Sequence, residues 1–152
     1  MVKVDYSNVT DFDAWIALAR EVEPLFGPMA DEVAFQDALQ RAISEKAAFC
    51  IRSTPNEKEE ILRGGIVISK EANAIEWFAV SHRYRNRGYG RQLLQRAVSE
   101  LNPREDICVQ TFDGSVLEGK AARKLYCDFG FTEYKNSGFN PAGVPTVIMR
   151  LA

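Results

Sequence analysis

The stretch between residues 80 and 91 constrains the fold of this chain more than any other. It reads Val-Ser-His-Arg-Tyr-Arg-Asn-Arg-Gly-Tyr-Gly-Arg and follows residues 74–80, an apolar segment with the length of a buried strand. Behind it, residues 89–101 carry apolar side chains at helical spacing, at Leu93, Leu94, Ala97, Val98 and Leu101. The sequence therefore predicts a strand, a loop rich in glycine and arginine, and a helix whose first turn presents free backbone amides.

The charge around this loop differs from that of the whole chain. The net charge is −2, yet no acidic residue occurs from Trp77 to Ser99, where five arginines do: Arg83, Arg85, Arg87, Arg91 and Arg96. Gly88 and Gly90 would let the backbone approach a ligand, and a helix N-terminus carries about half a positive charge. The stretch predicts a local site for a multiply charged anion such as a pyrophosphate.

The rest of the pattern extends this unit into one domain. A chain of 152 residues with 46% hydrophobic content is long enough to bury its own core, and no linker divides it, so we expect one domain over residues 1–152. The predicted order is β-α-α-β-β-β-α-β-α-β-β. Strands are predicted at residues 1–6, 49–52, 61–69, 74–80, 106–112, 131–134 and 146–151. Helices are predicted from a Thr10 and Asp13 start to Glu23 before Pro24, from Asp31 onward, at 89–101 and at 118–129, with a turn at Pro55 and Asn56.

These residues resemble the GNAT superfamily of acetyltransferases. The family's motif, Arg or Gln, two residues, Gly, one residue, then Gly or Ala, is similar to Arg85-Asn86-Arg87-Gly88-Tyr89-Gly90. The resemblance implies an α/β (α+β) fold with a single mixed, largely antiparallel sheet of about seven strands flanked by about four helices. It also implies that the fourth and fifth strands diverge to admit a coenzyme, acetyl-CoA. The residues that it implies as coenzyme ligands are Phe78, Ala79, Val80, Arg85, Arg87, Gly88, Tyr89, Gly90 and Arg91.

A second motif, Ala122 with Leu125 to Phe131, resembles the family's helix-to-strand segment, in which a tyrosine faces the departing sulfur. Here that tyrosine is Tyr126. Many members carry an asparagine seven residues earlier, where this chain has Gly119, so the resemblance does not carry over that coenzyme contact and leaves the implied role of the tyrosine in place. Tyr126 also lies on the apolar stripe of its helix, so a role in the core remains a second interpretation.

Glu76 is the candidate general base. It is the only acid in predicted strand 74–80, and a carboxylate beside a cleft could take a proton from an amine directly or through water. A carboxylate on the exposed face of a strand is the competing interpretation. Tyr126 is expected to donate a hydrogen bond to the thiolate that leaves, because a thiolate with a pKa near 8.5 is a weaker base than tyrosinate, near 10.

The predicted function is N-acetyl transfer from acetyl-CoA to a primary amine by direct attack in a ternary complex. Residues 24–29 and 136–145 match the loops from which the family builds its acceptor pocket, and neither holds an acidic cluster. We therefore expect a small-molecule amine or an amino-acid-like acceptor. A non-catalytic acyl-CoA-binding sensor or scaffold of the same fold is the alternative, and a homodimer through the last strands is compatible with either.

Several other classes are disfavoured. The slightly acidic composition argues against nucleic acid or acidic membranes as partners, and no apolar run is long enough to span a membrane. Residues 114–121 nearly spell a phosphate-binding P-loop but end in Ala121, which has no hydroxyl for magnesium. Three widely spaced cysteines and one histidine suggest neither a metal site nor a Cys-His hydrolase, and they indicate a reduced, cytoplasmic protein.

Overall fold

The computed structural model describes residues 3–53 and 61–152, and within them the chain forms seven strands and four α-helices. Their bounds are β1 Asp5–Tyr6, α1 Phe12–Phe26, α2 Val33–Ser44, β2 Ala48–Arg52, β3 Leu62–Ser69, β4 Ala74–Val80, α3 Tyr89–Glu100, β5 Ile107–Phe112, α4 Lys120–Asp128, β6 Thr132–Phe139 and β7 Pro145–Leu151. Short 3-10 turns occur at Val9–Asp11, His82–Tyr84 and Leu117–Gly119. The predicted turn at Pro55 and Asn56 and the start of the first predicted strand lie outside the described residues.

The seven strands form one sheet in the order β1-β2-β3-β4-β5-β7-β6. Every neighbouring pair is antiparallel except β4 and β5, which run parallel. These two strands pair only at Ala74 with Cys108 and at Ile75 with Val109. Beyond Ile75 they diverge, so a cleft opens in the middle of the sheet. The predicted fold class is confirmed.

Two adjacent glycines in β3 let helices pack closely on both faces of the sheet. A Cβ atom on Gly65 would lie 2.4 Å from Trp15 of α1, and one on Gly64 would lie 2.8 Å from Leu93 of α3. Trp15 and Leu93 are fully buried. Because successive residues of a strand point to opposite faces, Gly65 makes room for α1 on one face and Gly64 makes room for α3 on the other. The core therefore has two layers, and the cleft lies between β4, β5 and the helices that cover them.

The prediction for α1 is wrong at both ends. Asn8 caps the 3-10 turn Val9–Asp11 that precedes the helix: its Oδ1 accepts from the Thr10 N–H at 3.0 Å, and its own N–H donates to Asp11 at 2.8 Å. The helix itself begins at Phe12, and its N-cap residue is Asp11, not Thr10. The helix also passes through Pro24 and ends at Phe26. Proline lacks an N–H but its φ suits a helix, and the Gly27 N–H closes the last turn on the Glu23 carbonyl at 2.8 Å.

Other boundaries shift by a few residues. Helix α2 begins at Val33, whose side chain is exposed, because Asp31 forms an ion pair with Arg20 instead of opening the helix. The predicted helix 118–129 is a 3-10 turn followed by the shorter α4, and β6 runs to Phe139, five residues past its predicted end. Strand β4 has the bounds that were predicted.

Candidate active site

The loop between β4 and α3 folds so that backbone N–H groups point toward the cleft. Gly88 precedes α3 in the left-handed conformation, with φ of +85°, and a Cβ atom there would meet nothing within 4 Å. The first bond of the helix is Gln92 N–H to Gly88 O at 3.2 Å, so the amides of Tyr89, Gly90 and Arg91 have no acceptor inside the helix. This geometry suits an anion.

The three arginines predicted as ligands are held differently. Arg85 donates through Nε to the Val80 carbonyl at 3.2 Å, and Arg91 forms an ion pair with Asp128 of α4 at 3.4 Å. Both line the cavity beside the loop. The Arg87 guanidinium instead lies 5.5 Å from the centre of the Tyr84 ring and is not part of the cavity wall. The structure therefore brings Arg85 and Arg91 to the predicted site and leaves Arg87 at its margin.

A buried cation that sequence reasoning missed lies behind the loop. Arg63 of β3 is 7% exposed, and its guanidinium lies 4.8 Å from the ring centre of Tyr84 and 5.4 Å from that of Tyr89. It also donates to the Tyr89 hydroxyl. These contacts fix the two tyrosines that flank the loop, and an arginine in a predicted strand gives no local sign of such a role.

Two cavities occupy the cleft. The larger, about 530 Å³, follows the loop and the first turns of α3 and α4, and its wall includes Phe78, Ala79, Val80, Gly88, Tyr89 and Gly90. The smaller, about 210 Å³, lies where β4 and β5 part, and its wall includes Glu76, Trp77, Tyr126 and Asn140. Four residues line both cavities, which therefore form one continuous cleft. They are Phe26, Phe78, Phe112 and Ala122.

Strand β4 presents an unpaired edge to this cleft. Phe78, Ala79 and Val80 pair with β3 on one side, at Ile66, Gly65 and Gly64 respectively. On the other side, within the described residues, β4 has no strand partner after Ile75. Backbone groups on that edge are available to an extended ligand in the manner of an added strand.

Tyr126 lies on the wall of the smaller cavity, and its side chain is 3% exposed. Its ring packs against Phe78 at 6.1 Å and Phe131 at 5.6 Å between centroids. Burial raises the pKa of the phenol well above its ordinary value. The hydroxyl therefore stays protonated at neutral pH and is a hydrogen-bond donor.

Glu76 lies on the same cavity wall and is exposed. Its position depends on a bulge in β4: Trp77 pairs with Val67 and Ile75 pairs with Ile68, which leaves Glu76 as the extra residue between them. A bulge interrupts the alternation of side chains along a strand and redirects one of them. The structure thus brings the two predicted catalytic residues to one cavity.

Gly119 packs directly against β5. A Cβ atom there would lie 2.6 Å from the Cβ of Phe112, so no larger residue fits unless Phe112 moves. Phe112 is one of three aromatic residues that line both cavities. Gly119 therefore packs on an aromatic side chain of the cleft, and an asparagine would not fit here unless Phe112 moved.

The two loops predicted to form the acceptor pocket meet at the smaller cavity. Asn140, between β6 and β7, donates through Nδ2 to the carbonyl of Leu25 at 2.7 Å. A Cβ atom on Gly27 would lie 2.6 Å from the Cβ of Pro141. Asn140 and Pro141 line the smaller cavity together with Phe26. The loops are thus in direct contact at its margin.

The aromatic walls of the smaller cavity were not predicted. Trp77 and Phe112 belong to strands, where aromatic residues indicate core packing, so no local signal separates a cavity wall from a buried face. In the structure Phe26 lies 5.8 Å from Trp77 and 5.7 Å from Phe112 between ring centroids. Only the divergence of β4 and β5 exposes these rings to a ligand.

The described residues, 3–53 and 61–152, contain no group of three or more His, Cys, Asp and Glu side chains that could hold a metal ion. Within the same ranges no helix is long and apolar enough to cross a membrane.

A single mixed sheet that opens between two parallel strands beside a glycine-rich helix N-terminus matches the fold that the resemblance to the acetyltransferase family implied. A profile of the acetyltransferase (GNAT) domain matches residues 28–152, and the chain belongs to that family. No curated protein sequence is similar enough to count as a match.

Solved structures share the fold over nearly their whole length. A GNAT-family acetyltransferase from Bacillus cereus is 18% identical, with 99% of this chain and 96% of that chain covered and a TM-score of 0.72. The ribosomal-protein-S18-alanine N-acetyltransferase from Escherichia coli is 20% identical, with coverage of 99% and 93% and a TM-score of 0.70. The PaiA N-acetyltransferase from Thermoplasma acidophilum, solved with coenzyme A, is 14% identical, with coverage of 99% and 98% and a TM-score of 0.72. At these identities the likeness shows the fold.

Proposed function

We propose that this protein, acting as one domain over residues 1–152, transfers an acetyl group from acetyl-CoA to a primary amine. The observation that carries the proposal is the unpaired edge of β4, which runs from Phe78 to the glycine-rich start of α3. An extended arm can bind along that edge while its phosphates bind the helix N-terminus. Membership in the acetyltransferase family and a neighbour solved with coenzyme A support this assignment.

In this proposal the pyrophosphate of the coenzyme binds the amides of residues 87–91. A Cβ atom on Gly88 would meet nothing within 4 Å, which leaves space for the pyrophosphate. A Cβ atom on Gly90 would lie 3.5 Å from the Phe78 ring, which lines the cavity. Arg85 and Arg91 line the cavity and supply positive charge, while Arg87 acts from its margin. The pantetheine arm follows Phe78, Ala79 and Val80 toward the smaller cavity.

The reaction needs a neutral amine. An alkylamine with a pKa near 10.4 must lose a proton at pH 7, which costs about 4.6 kcal/mol at 1.36 kcal/mol per pKa unit. Glu76, exposed at the bulge on the wall of the smaller cavity, accepts that proton directly or through one water molecule. The amine nitrogen then attacks the thioester carbonyl carbon, the nitrogen loses a second proton to solvent, the carbon–sulfur bond breaks, and the thiolate leaves. No acetyl-enzyme forms.

Tyr126 stabilises the leaving thiolate by donating a hydrogen bond from its hydroxyl. Burial raises the pKa of this phenol, so complete proton transfer to a thiolate is still less favourable than it would be in water. Hydrogen-bond donation to a charge that develops in the transition state is the role that remains.

The acceptor in this proposal is a small-molecule amine or an amino-acid-like compound. The fold alone does not identify the acceptor, because neighbours with this fold carry different names. One is a ribosomal-protein-S18-alanine N-acetyltransferase and another is the PaiA N-acetyltransferase. All three cysteines of the chain are free, which supports a cytoplasmic location, where thiols remain reduced.

The first test is a calorimetric titration with acetyl-CoA of the unmodified protein, Gly88→Asp and Gly88→Asn. Asparagine and aspartate both tolerate the left-handed conformation and have nearly the same shape, so the pair isolates the carboxylate charge. We expect Gly88→Asp to bind acetyl-CoA at least about 100-fold more weakly than Gly88→Asn, a difference of about 2.7 kcal/mol, because only aspartate adds a negative charge where the pyrophosphate binds. Absence of binding by the unmodified protein would contradict the proposed coenzyme site.

The second test measures amine-dependent release of the coenzyme thiol. Initial rates with both substrates varied should give intersecting lines, as expected for a ternary complex. Parallel lines or an isolated acetyl-enzyme would contradict direct attack. Coenzyme binding without any amine-dependent release would favour a non-catalytic acyl-CoA-binding module.

A further inference from the structure

The smaller cavity restricts the chemistry of what it can bind. Among the residues described, its wall contains one carboxylate, Glu76, and no lysine, arginine or histidine. Its floor is aromatic, with Phe26 in edge contact with both Trp77 and Phe112. A ligand carboxylate placed here would find no cationic partner on the described wall and would share the cavity with the Glu76 carboxylate, which is unfavourable. An ammonium group would meet a carboxylate and lie beside aromatic rings.

The cavity is also small. Its volume is about 210 Å³, against about 530 Å³ for the larger cavity. A second positive charge along a polyamine would find no second acid on the described wall. A compact amine with an apolar body fits both the volume and the lining better than a polyamine, an amino acid or a peptide terminus.

One hydrogen bond joins the two loops at the margin of this cavity. Asn140 Nδ2 donates to the Leu25 carbonyl, while its Oδ1 accepts from the N–H groups of Ala142 at 2.9 Å and Val144 at 3.0 Å. The same side chain thus shapes its own turn and fastens that turn to the end of α1. We call the Asn140–Leu25 bond the clasp.

Each loop keeps its shape without the clasp. On the α1 side, Glu23 accepts from the Met29 and Ala30 N–H groups at 2.7 and 3.0 Å. On the other side, backbone bonds between Asn140 and Val144 and between Gly143 and Asn140, both 2.9 Å, close the turn. Loss of the clasp should therefore leave two intact loops that still touch where Gly27 packs on Pro141, and it should loosen the boundary of the cavity.

We propose that the acceptor is a compact primary amine with an apolar body and no carboxylate, and that the clasp made by Asn140 sets its size limit. The inference rests on the proposed function and narrows its acceptor. Asn140 is a specificity-determining residue because it joins the loops that bound the cavity, without taking part in the chemistry.

The acceptor class is tested with matched amines. 2-Phenylethylamine and phenylalanine differ by one carboxylate, and spermidine and a tripeptide with a free N-terminus represent the competing classes. We expect kcat/KM for phenylethylamine to exceed that for phenylalanine by at least about tenfold, because the extra carboxylate would lie near Glu76 with no cationic partner on the described wall. Equal or better turnover of phenylalanine, spermidine or the tripeptide would overturn the assignment.

The same comparison can be made without turnover. Of the two tryptophans, Trp15 is fully buried and Trp77 lines the cavity, so a fluorescence change on titration of the coenzyme A complex reports on Trp77. Binding of phenylethylamine with no turnover would contradict the proposed function and leave this inference standing. Turnover of other amines with no phenylethylamine binding would do the reverse.

The clasp is tested with Asn140→Asp. Aspartate keeps the oxygen that accepts from Ala142 and Val144 but places a second oxygen against the Leu25 carbonyl, so it breaks the clasp and retains the turn. Gln40→Glu, the equivalent change at an exposed position of α2, is the control for added charge.

We expect acrylamide to quench Trp77 at least about twofold more strongly in Asn140→Asp than in the control, since the loosened loops uncover the ring. The tripeptide should gain turnover relative to phenylethylamine. A thermal unfolding curve verifies that the variant is folded. If a folded Asn140→Asp variant shows the same quenching and the same order of amines as Gln40→Glu, the clasp does not set the size limit.

Discussion

The two ends of the cleft are built in different ways. Nearly half of the residues that line the larger cavity belong to one continuous segment, the end of β4, the following loop and the first turn of α3, and its key groups are backbone amides. The smaller cavity is lined by residues 75–78 and 109–112, where β4 and β5 diverge, and by side chains from distant segments, including Phe26, Tyr126 and Asn140.

This difference separates a site that can be recognised locally from one that cannot. Amides at a helix N-terminus follow from strand, glycine and helix in succession, whatever the rest of the chain does. An assembly of distant side chains depends on how β4 and β5 diverge and on where the loops meet. We therefore expect the family's common chemistry at the first end and the individual selectivity of this protein at the second.

The largest effect is expected at Glu76. This residue belongs to β4, which contributes to both cavities, and the bulge in β4 places its side chain on the wall of the smaller one. Glu76→Gln should lower kcat/KM for the amine by about 10²- to 10³-fold, the usual contribution of a general base. Acetyl-CoA affinity, measured by calorimetry, should not change. Glu71→Gln, at an exposed position after β3, is the matched control. Turnover by Glu76→Gln within about twofold of this control would exclude Glu76 as the base.

Tyr126→Phe should have the next largest effect. Loss of one hydrogen-bond donor to the leaving thiolate should lower kcat by about 10²-fold, or about 2.7 kcal/mol. Because Tyr126 faces the smaller cavity, acetyl-CoA binding should be nearly unchanged. Single-turnover rates separate this effect from product release. A variant as active as the unmodified protein would reduce Tyr126 to a core residue, the second interpretation that the sequence allows.

Gly119→Asn tests the contact between the two ends. The added side chain would collide with Phe112, so we expect the free energy of unfolding, measured in urea, to fall by about 1–3 kcal/mol, as at other overpacked sites. In a Phe112→Ala background the same substitution should cost less than about 1 kcal/mol, because the space is then free. Equal costs in both backgrounds would show that Phe112 does not limit this position.

The smallest effect is expected at Glu21, whose hydrogen bonds join α1 to the residues that follow β4. Glu21 of α1 accepts from the Ser81 hydroxyl at 2.9 Å and the His82 N–H at 2.8 Å, where β4 enters the loop. Burial by itself would raise the pKa of Glu21, but these hydrogen bonds outweigh it and the pKa is lowered. The carboxylate therefore stabilises the fold at pH values above its unfolded pKa of about 4.3.

We expect Glu21→Gln to be about 1 kcal/mol less stable than the unmodified protein at pH 7. The difference should shrink below the pKa of Glu21 in the unfolded state and disappear as the pH passes through its lowered pKa in the folded state. The carboxyl group is then protonated in the folded protein as well as in the unfolded chain. Thermal unfolding at several pH values measures it, with exposed Glu45→Gln as the control. A difference that persists at pH 2 would point to packing and not to the carboxylate.

Most secondary structure could be predicted because the patterns that define it are local. The bounds of β4 were predicted correctly, and those of β5, β7 and α3 within one residue. The errors also have local physical causes. Pro24 could end α1 or lie within its last turn, and the outcome depends on Gly27, which closes the helix. Asn8 and Asp11 form reciprocal hydrogen bonds that cap a 3-10 turn before α1, so the helix begins at Phe12 and Thr10 does not cap it.

For the site, the sequence by itself determined the glycine-rich loop, the helix that follows it and the family, because these depend on neighbouring residues and on short motifs. The bulge that redirects Glu76, the cation of Arg63 beneath the loop and the packing of Gly119 against Phe112 were decided by the tertiary structure. So was the clasp between Asn140 and Leu25, which are separated by 115 positions. Contacts at such separations depend on the register and divergence of the strands, which no local pattern encodes.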